Sequence, residues 1–593
     1  MTRWIMQFMQ PDNRRVSIVL PRRLSKTLLA MTLSVLAIAC QETGIPPSSE
    51  HTGVNSVSAF LSVDPSEGTA ELVYEFETPV REFRFHYRAG RIRDGSWSVL
   101  DAGTVLEDDT VRRVDGELME RVRLDVQVDA DWFDRVYPAV YPVGDAGLVL
   151  NTDFLTLQEI DLDSIRARVA PGNIVAWSNF VSTDESAGDQ VQELPTDSWH
   201  FVFFGRRELI ETFAGGVIVS DAASSSRVLE QLRAGIEPAV AWLGSFLRTE
   251  SVDRVHVIAT VEETDEGTRW RGDVSENAEI FLRFFGDGWN RDNEELERIT
   301  ELVLYHELVH ALMSNRFEVG EGEPEWLWEG HAEYLALTYM GRYAITAEPD
   351  WFQEEVRQRT TDCINTLERE GVGISHPSVL RGQDPYNCGV LVYWLLDGAP
   401  ALQGAGDRLR SLWSSVVERL DDTDTDFRVA GLVAAAEAIE AVEAQKLFEI
   451  LTEGPAGNDW QERDRLLAGL GVNVTYEYGD AWNAHARTAV IDHLLRLHCT
   501  APPIGFWTLE DHLRLDTGER CGPLSGDPLI DRINGLAIFG GMRAVVESVE
   551  RACSSGESVQ LGIFESPEYV TVECTESIRE LPPSATLSVG NEI

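Results

Sequence analysis

Three residues near the middle of the chain can hold a metal. His306-Glu307-Leu308-Val309-His310 reads H-E-x-x-H inside a helical pattern that runs through Asn315. Residues four apart share a helix face, so both imidazoles can reach one Zn²⁺. Glu307 points toward the same region, where it can take a proton from an activated water. Taken alone, the motif also fits a helix with two ordinary histidines, and the next segment argues against that. Eighteen residues separate His310 from Glu329, which sits in Trp326-Leu327-Trp328-Glu329-Gly330-His331-Ala332-Glu333-Tyr334. Pro324 precedes this segment and suits a first helical turn. A second helix packed on the first would present Glu329 as a third ligand. Two histidines and a glutamate with an open fourth position describe a catalytic zinc site. Structural sites usually close with cysteine, and none is near in sequence.

H-E-x-x-H, eighteen residues, then E-G-x-A-x-Y resembles the gluzincin metallopeptidases, in particular the aminopeptidase-N-like branch, which carries W-L-x-E-G-x-A-x-Y around its third ligand. Trp326, Leu327, Glu329, Gly330, Ala332 and Tyr334 match. The resemblance implies that His306, His310 and Glu329 bind zinc, that Glu307 is the general base, and that the substrate is a peptide or protein. It spans Trp199 to Leu395. The family also places a tyrosine about sixty residues past the glutamate, in Y-x-x-G, where a phenol stabilises the oxyanion. Here Tyr386-Asn387-Cys388-Gly389 lies fifty-seven residues past Glu329, which makes Tyr386 the first candidate and Tyr393 the second. The resemblance does not extend to the G-x-M-E-N segment that holds a substrate's amino terminus, which is missing between Trp199 and Asp292. His331 stands where the family usually has phenylalanine; it lines the cleft or packs beside it. Glu333, one turn past Glu329, either accepts a hydrogen bond from a ligand histidine or forms a solvated salt bridge.

The elements that must position these residues form an α+β multidomain chain. At 593 residues it is too long for a single core. From Val57 to Val181 apolar residues alternate (Leu72, Tyr74, Phe76; Phe83, Phe85, Tyr87; Val122, Leu124, Val126, Val128), which predicts an antiparallel β-sandwich over 57–181. The polar stretch Ser182–Asp197 reads as a linker. A gluzincin-type catalytic domain, a small sheet plus helices, is expected over 197–415. It begins with a strand at Trp199–Phe204 and has Asp292 as N-cap of the metal-binding helix. A helical region follows over 416–500, then a small α+β module over 501–593. There Gly526–Gly535 faintly resembles the second half of a bacterial PDZ domain. Asp421–Asp426 alternates carboxylates but lacks the glycine and distal glutamate of a calcium loop, and reads as solvated.

The chain carries 50 basic and 99 acidic residues, a net charge of −49. Phosphate backbones would repel it, which excludes nucleic acid as a partner. A composition 43% hydrophobic and 25% charged excludes disorder and a polytopic membrane protein. Arg22, Arg23 and Lys26 precede an apolar stretch, Leu28–Ala39, that is too short to span a bilayer. It ends Leu36-Ala37-Ile38-Ala39-Cys40, which resembles a bacterial lipobox. The resemblance implies a lipoprotein signal peptide over 1–39, a lipid anchor at Cys40 and a tether over 40–56; a plain secretory signal is the alternative. Six further cysteines are an even number, as an exported disulfide protein would carry. Sequence neighbours give the simplest pairing: Cys363–Cys388, Cys499–Cys521 and Cys553–Cys574.

Overall fold

The computed structural model describes residues 56–589, apart from 87–90, 129–138, 183–190, 222–225, 249–254, 263–267, 315–317, 344–350, 398–406, 439–441, 455–459, 500–504, 518–520 and scattered single or paired positions. The expected signal peptide, lipobox and nearly all of the tether lie outside the described residues. Among the described residues, no helix is long and apolar enough to cross a membrane.

Alternation between Ser56 and Gly205 builds two large sheets, beside a small one of three strands, Glu82–Arg84, Thr110–Arg113 and Thr104–Glu107. One has six strands in the order Val191–Leu194, Asp161–Val169, Ser56–Asp64, Thr69–Val80, Met119–Gln127, Trp97–Val99. The other has five: Phe180–Val181, Ile174–Trp177, Phe201–Gly205, Gly147–Asn151, Val140–Val143. Every second residue faces one shared core, as period two requires: Val57, Ala59, Leu61 and Val63, then Leu72, Tyr74 and Phe76, then Val122, Leu124 and Val126. Pairing is antiparallel except for Ser56–Asp64, which runs parallel to Asp161–Val169. The expected domain boundary moves. Val191–Leu194, read as linker, is a strand paired with Asp161–Val169. Phe201–Gly205, read as the first catalytic strand, pairs with Gly147–Asn151 and Ile174–Trp177. Its apolar run looks alike in either sheet, so only the partner decides where it belongs.

The next sheet starts after it, in the order Ile210–Phe213, Gly216–Ser220, Val255–Glu262, Glu279–Phe285, Arg269–Val274. Its three middle strands are parallel. They are buried on both faces, hence nearly continuous apolar runs. Val219, Ile258, Phe281 and Phe285 pack on the N-terminal sheets, whereas Ile218, Val257, Ala259, Ile280, Leu282 and Phe284 face the helices.

Five helices cover that second face: α1 (Ser226–Leu247), α2 (Glu294–Ser314), α3 (Glu329–Tyr343), α4 (Trp351–Glu370) and α5 (Asp384–Leu396). The N-cap of α2 is Asn293 and not Asp292: the Asn293 carboxamide oxygen accepts from the Glu295 and Leu296 amides at 3.0 and 3.4 Å, while Asp292 pairs with Arg227. Glu294, Glu295 and Glu297 then complement the positive end of the helix. Pro324 precedes a single 3₁₀ turn, Glu325–Leu327, and α3 begins only at Glu329. From Gly330 to Met340 every residue of α3 is buried, so it is the central helix of the bundle.

Four further helices follow, with Asp421–Thr423 forming the end of one of them instead of a loop. The small C-terminal sheet, Gly505–Thr508, Leu513–Asp516, Leu529–Ile533, Ser558–Ile563 and Tyr569–Glu573, shares a core with helices Asp480–His498 and Met542–Ser555. The last strand leaves this module. Ser584–Val589 pairs with Val472–Glu477, and Asn365 of α4 holds Ala585 through both its carbonyl and its amide, at 3.1 and 2.6 Å. All three disulfides join sequence neighbours as expected.

Candidate metal centre

One helical turn brings His306 and His310 to the same side of α2, with their Nε2 atoms 3.0 Å apart. Glu329, the first residue of α3, places Oε2 3.2 Å from His306 Nε2 and 3.3 Å from His310 Nε2. Zinc–ligand bonds near 2.0–2.2 Å in a tetrahedron set ligand atoms roughly 3.3–3.5 Å apart, so the three residues fit zinc. The charge around them fits as well. Burial disfavours charge on His306, yet Glu329 and Glu333 push its imidazole up to about 10. Burial also opposes charge on Glu329, but His310 and His306 hold its carboxyl well below the ordinary range. The cluster favours a positive charge at its centre, and a dication with neutral imidazoles satisfies the same demand. His306, His310 and Glu329 form one of two groups of potential ligand atoms among the described residues. The other, His493 with Cys553 and Cys574, contains the two sulfurs of a disulfide.

Glu333 meets the ligand histidine as in its first reading, and its salt bridge is buried instead of solvated. Its Oε2 lies 2.8 Å from His306 Nδ1, and its Oε1 accepts from Arg359 Nη2 of α4 at 2.6 Å. A carboxylate at Nδ1 assigns the proton there and leaves the Nε2 lone pair toward Glu329 and His310.

Glu307 is buried against the edge strand Arg269–Val274. A β-carbon on Gly272 would lie 2.1 Å from Glu307 Oε1, so a side chain there would have to displace the Glu307 carboxylate. Burial, with the charges of Glu329 and Glu333, raises the Glu307 carboxyl to about 7 against the pull of His306. Asp273 beside it rises to about 7, through burial and the Glu307 charge.

Tyr386 enters from the first turn of α5, its ring centroid 5.6 Å from that of His306. Burial and then the Glu329 charge push its phenol well above 10, so it stays a donor. Tyr393, two turns on, is committed elsewhere: its hydroxyl donates to the Leu327 carbonyl at 2.6 Å. His331 is fully buried, its ring centroid 3.9 Å from that of Trp413, so it packs behind the site. Burial, then the nearby His310 and His306, drive its pKa down and keep it neutral.

Sequence reasoning missed Gly272 and Arg359. A glycine interrupting a strand was a readable signal of close approach. Arg359 had none, because its contact with Glu333 spans two helices.

No protein-family profile matches the sequence, and no curated protein does either. Solved structures do. An aminopeptidase N family protein from Idiomarina loihiensis superposes with a TM-score of 0.54 at 13% identity, over 90% of this chain and 98% of that one. Two structures of yeast LTA4 hydrolase, one with bestatin, give TM-scores of 0.41 and 0.39 at 10% identity, over 72% and 78% of this chain and 72% and 76% of theirs. At such identities the likeness is one of architecture, and the chain has the multidomain α+β fold of an aminopeptidase N family protein.

Proposed function

We propose that the chain is an exported zinc metallopeptidase that hydrolyses peptide bonds. The observation that carries this reading is the convergence of His306 Nε2, His310 Nε2 and Glu329 Oε2 within 3.3 Å, with Glu307 beside His306 on the same helix and the Tyr386 ring 5.6 Å from that of His306. Zinc, when bound, polarises the scissile carbonyl and makes a water acidic enough to deprotonate near neutral pH. Glu307 accepts the proton of the attacking water on its carboxylate and passes it to the leaving amine nitrogen as the C–N bond breaks. Tyr386 donates its phenol hydrogen to the carbonyl oxygen as charge builds there. Glu333 keeps His306 in the tautomer that ligation needs. Export rests on the three disulfides, and lipid attachment at Cys40 on the lipobox alone.

The test is zinc content beside cleavage of a mixed peptide library. One zinc per chain, lost in Glu329→Ala, with cleavage abolished in Glu307→Gln, is the expected result. Folded protein without stoichiometric zinc would overturn the reading. Zinc without peptide cleavage would redirect it to a non-peptide amide or epoxide.

A further inference from the structure

Where the strand Phe201–Gly205 meets the strand Glu279–Phe285, one buried carboxylate gathers four donors. Glu279 is fully buried. Its Oε1 accepts from the Ser178 hydroxyl at 2.6 Å and from His200 Nδ1 at 2.9 Å. Its Oε2 accepts from the Phe201 amide at 2.7 Å and from the Ser275 hydroxyl at 2.9 Å. A carboxylate so supplied stays ionised and assigns the His200 proton to Nδ1. The Nε2 lone pair then faces the Ser198 hydroxyl at 3.3 Å. Serine, histidine and carboxylate in this order are the parts of a nucleophilic serine site, which is recognised by geometry and not by position in the chain. The contact between nucleophile and base is often this long before a substrate binds. Asn277 Nδ2 lies 2.6 Å from Ser198 Oγ and 3.0 Å from His200 Nε2. A carboxamide donor at the serine oxygen favours its alkoxide form.

Ser198 is half-buried while His200 is buried, so the hydroxyl is within reach of a substrate and the base is shielded. Aromatic rings lie beside it. Ser178 sits between Trp177 and Phe180 in sequence, and these two rings stack with centroids 4.0 Å apart, Phe180 being exposed. Ser178 itself has φ 40°, a left-handed conformation uncommon for a residue with a side chain, and holds its hydroxyl on Glu279. Strain of this kind collects at functional sites. We propose that Ser198, His200 and Glu279 form a second hydrolytic site, which takes carboxylic esters with an aromatic or alkyl acyl group. Ser198 Oγ bonds to the acyl carbon, and its proton passes to His200 Nε2. The ester C–O bond breaks, and the leaving alcohol oxygen takes that proton. Water then adds to the acyl-serine carbon by the same route, releasing the carboxylic acid and restoring the hydroxyl. The step needs no metal, and none of these residues is a candidate zinc ligand.

The probe is an alkyl fluorophosphonate, incubated with the purified chain in the presence of a metal chelator and mapped by peptide mass spectrometry. Phosphorus takes the place of the acyl carbon, fluoride leaves, and the adduct stays on the nucleophile. One phosphonyl group should be found on Ser198, and none in Ser198→Ala. His200→Gln should slow labelling by at least about 100-fold, the contribution of a positioned base. Chelated wild type should also release nitrophenolate from 4-nitrophenyl phenylacetate, and Ser198→Ala should abolish this. Phe180→Ala, which truncates an exposed ring, should slow it several-fold. An unchanged rate in Phe180→Ala would strike the acyl preference. The absence of an adduct on Ser198 in folded protein, undiminished labelling in folded His200→Gln, or ester hydrolysis that survives Ser198→Ala would overturn the proposal. Zinc is chelated throughout, so none of these outcomes decides the peptidase reading.

Discussion

Glu333 spans two helices: one carboxylate oxygen meets His306 Nδ1 at 2.8 Å, and the other meets Arg359 Nη2 at 2.6 Å. Arg359 also reaches the Asn387 side chain at 3.5 Å, next to Tyr386. The ligand histidine, its carboxylate and the helix carrying the phenol are thereby tied to one guanidinium.

With His306 as the proposed zinc ligand, this arrangement predicts that Glu333 and Arg359 set metal affinity without contact to the metal. Losing the carboxylate behind a ligand histidine typically costs 10–100-fold in metal affinity, so Glu333→Ala should weaken zinc by about that factor. Arg359→Ala should weaken it less, because Glu333 remains, and Arg359→Lys should recover part of the loss. Competition with a chromophoric chelator reads this directly. Unchanged affinity in Glu333→Ala would mean that neighbouring packing alone orients His306.

The second prediction concerns Gly330 and Gly389, where α3 and α5 touch backbone to backbone. A β-carbon at Gly330 would lie 2.1 Å from Gly389 Cα, and one at Gly389 2.6 Å from the Trp326 carbonyl oxygen. On a free helix, glycine to alanine would stabilise by about 1 kcal/mol. Here the helices must separate, and overpacking costs about 1–3 kcal/mol. Gly330→Ala should therefore destabilise, and the sign of the change in denaturant unfolding checks it. Separation would also draw Glu329 away from Tyr386, so activity should fall with stability.

Gly272→Ala should behave differently. The clash falls on the end of the Glu307 side chain, which can swing aside at little cost to stability. None of the three ligands moves, so zinc should stay at one per chain. The displaced base should lower kcat/KM by about 100-fold, as misplacement near 1 Å does. Full activity in this variant would mean that Glu307 works from another position.

These contrasts explain what was legible in the sequence. The meeting of His306 and His310 was readable because one helical turn joins them, a local rule, and that of Glu329 because the spacing resembles the family's. Tyr386 was a candidate only through the resemblance to the family's Y-x-x-G, and the structure sets it beside His306 while Tyr393 donates to the Leu327 carbonyl. The N-terminal sheets were readable as alternation, but not the allegiance of Phe201–Gly205. Nor was it readable that the final strand, Ser584–Val589, returns to Val472–Glu477 across more than a hundred residues. Capping by Asn293 in place of Asp292 is a one-residue shift between two good caps, decided by the Arg227 salt bridge. In each case the deciding contact is tertiary and leaves no periodic trace.

His256 supports a prediction about pH. It is 2% exposed in the strand Val255–Glu262, and neither ring nitrogen has a hydrogen-bond partner among the described residues. Burial lowers its pKa below the ordinary 6.5, and the charge of Glu279 opposes this without reversing it. The unfolded chain therefore takes up a proton near pH 6.5 that the folded chain refuses. Stability contributed by neutral His256 is fully present above pH 6.5 and is lost as pH falls from there through the lower, folded-state pKa. His256→Val places a β-branched strand former there and removes the titration. Urea unfolding at a series of pH values should show the wild type losing stability relative to the variant as pH drops below 6.5, with a constant difference above it. A difference that stays flat down to pH 5 would mean that His256 is protonated in the fold, held by Glu279 across the paired strands Val255–Glu262 and Glu279–Phe285.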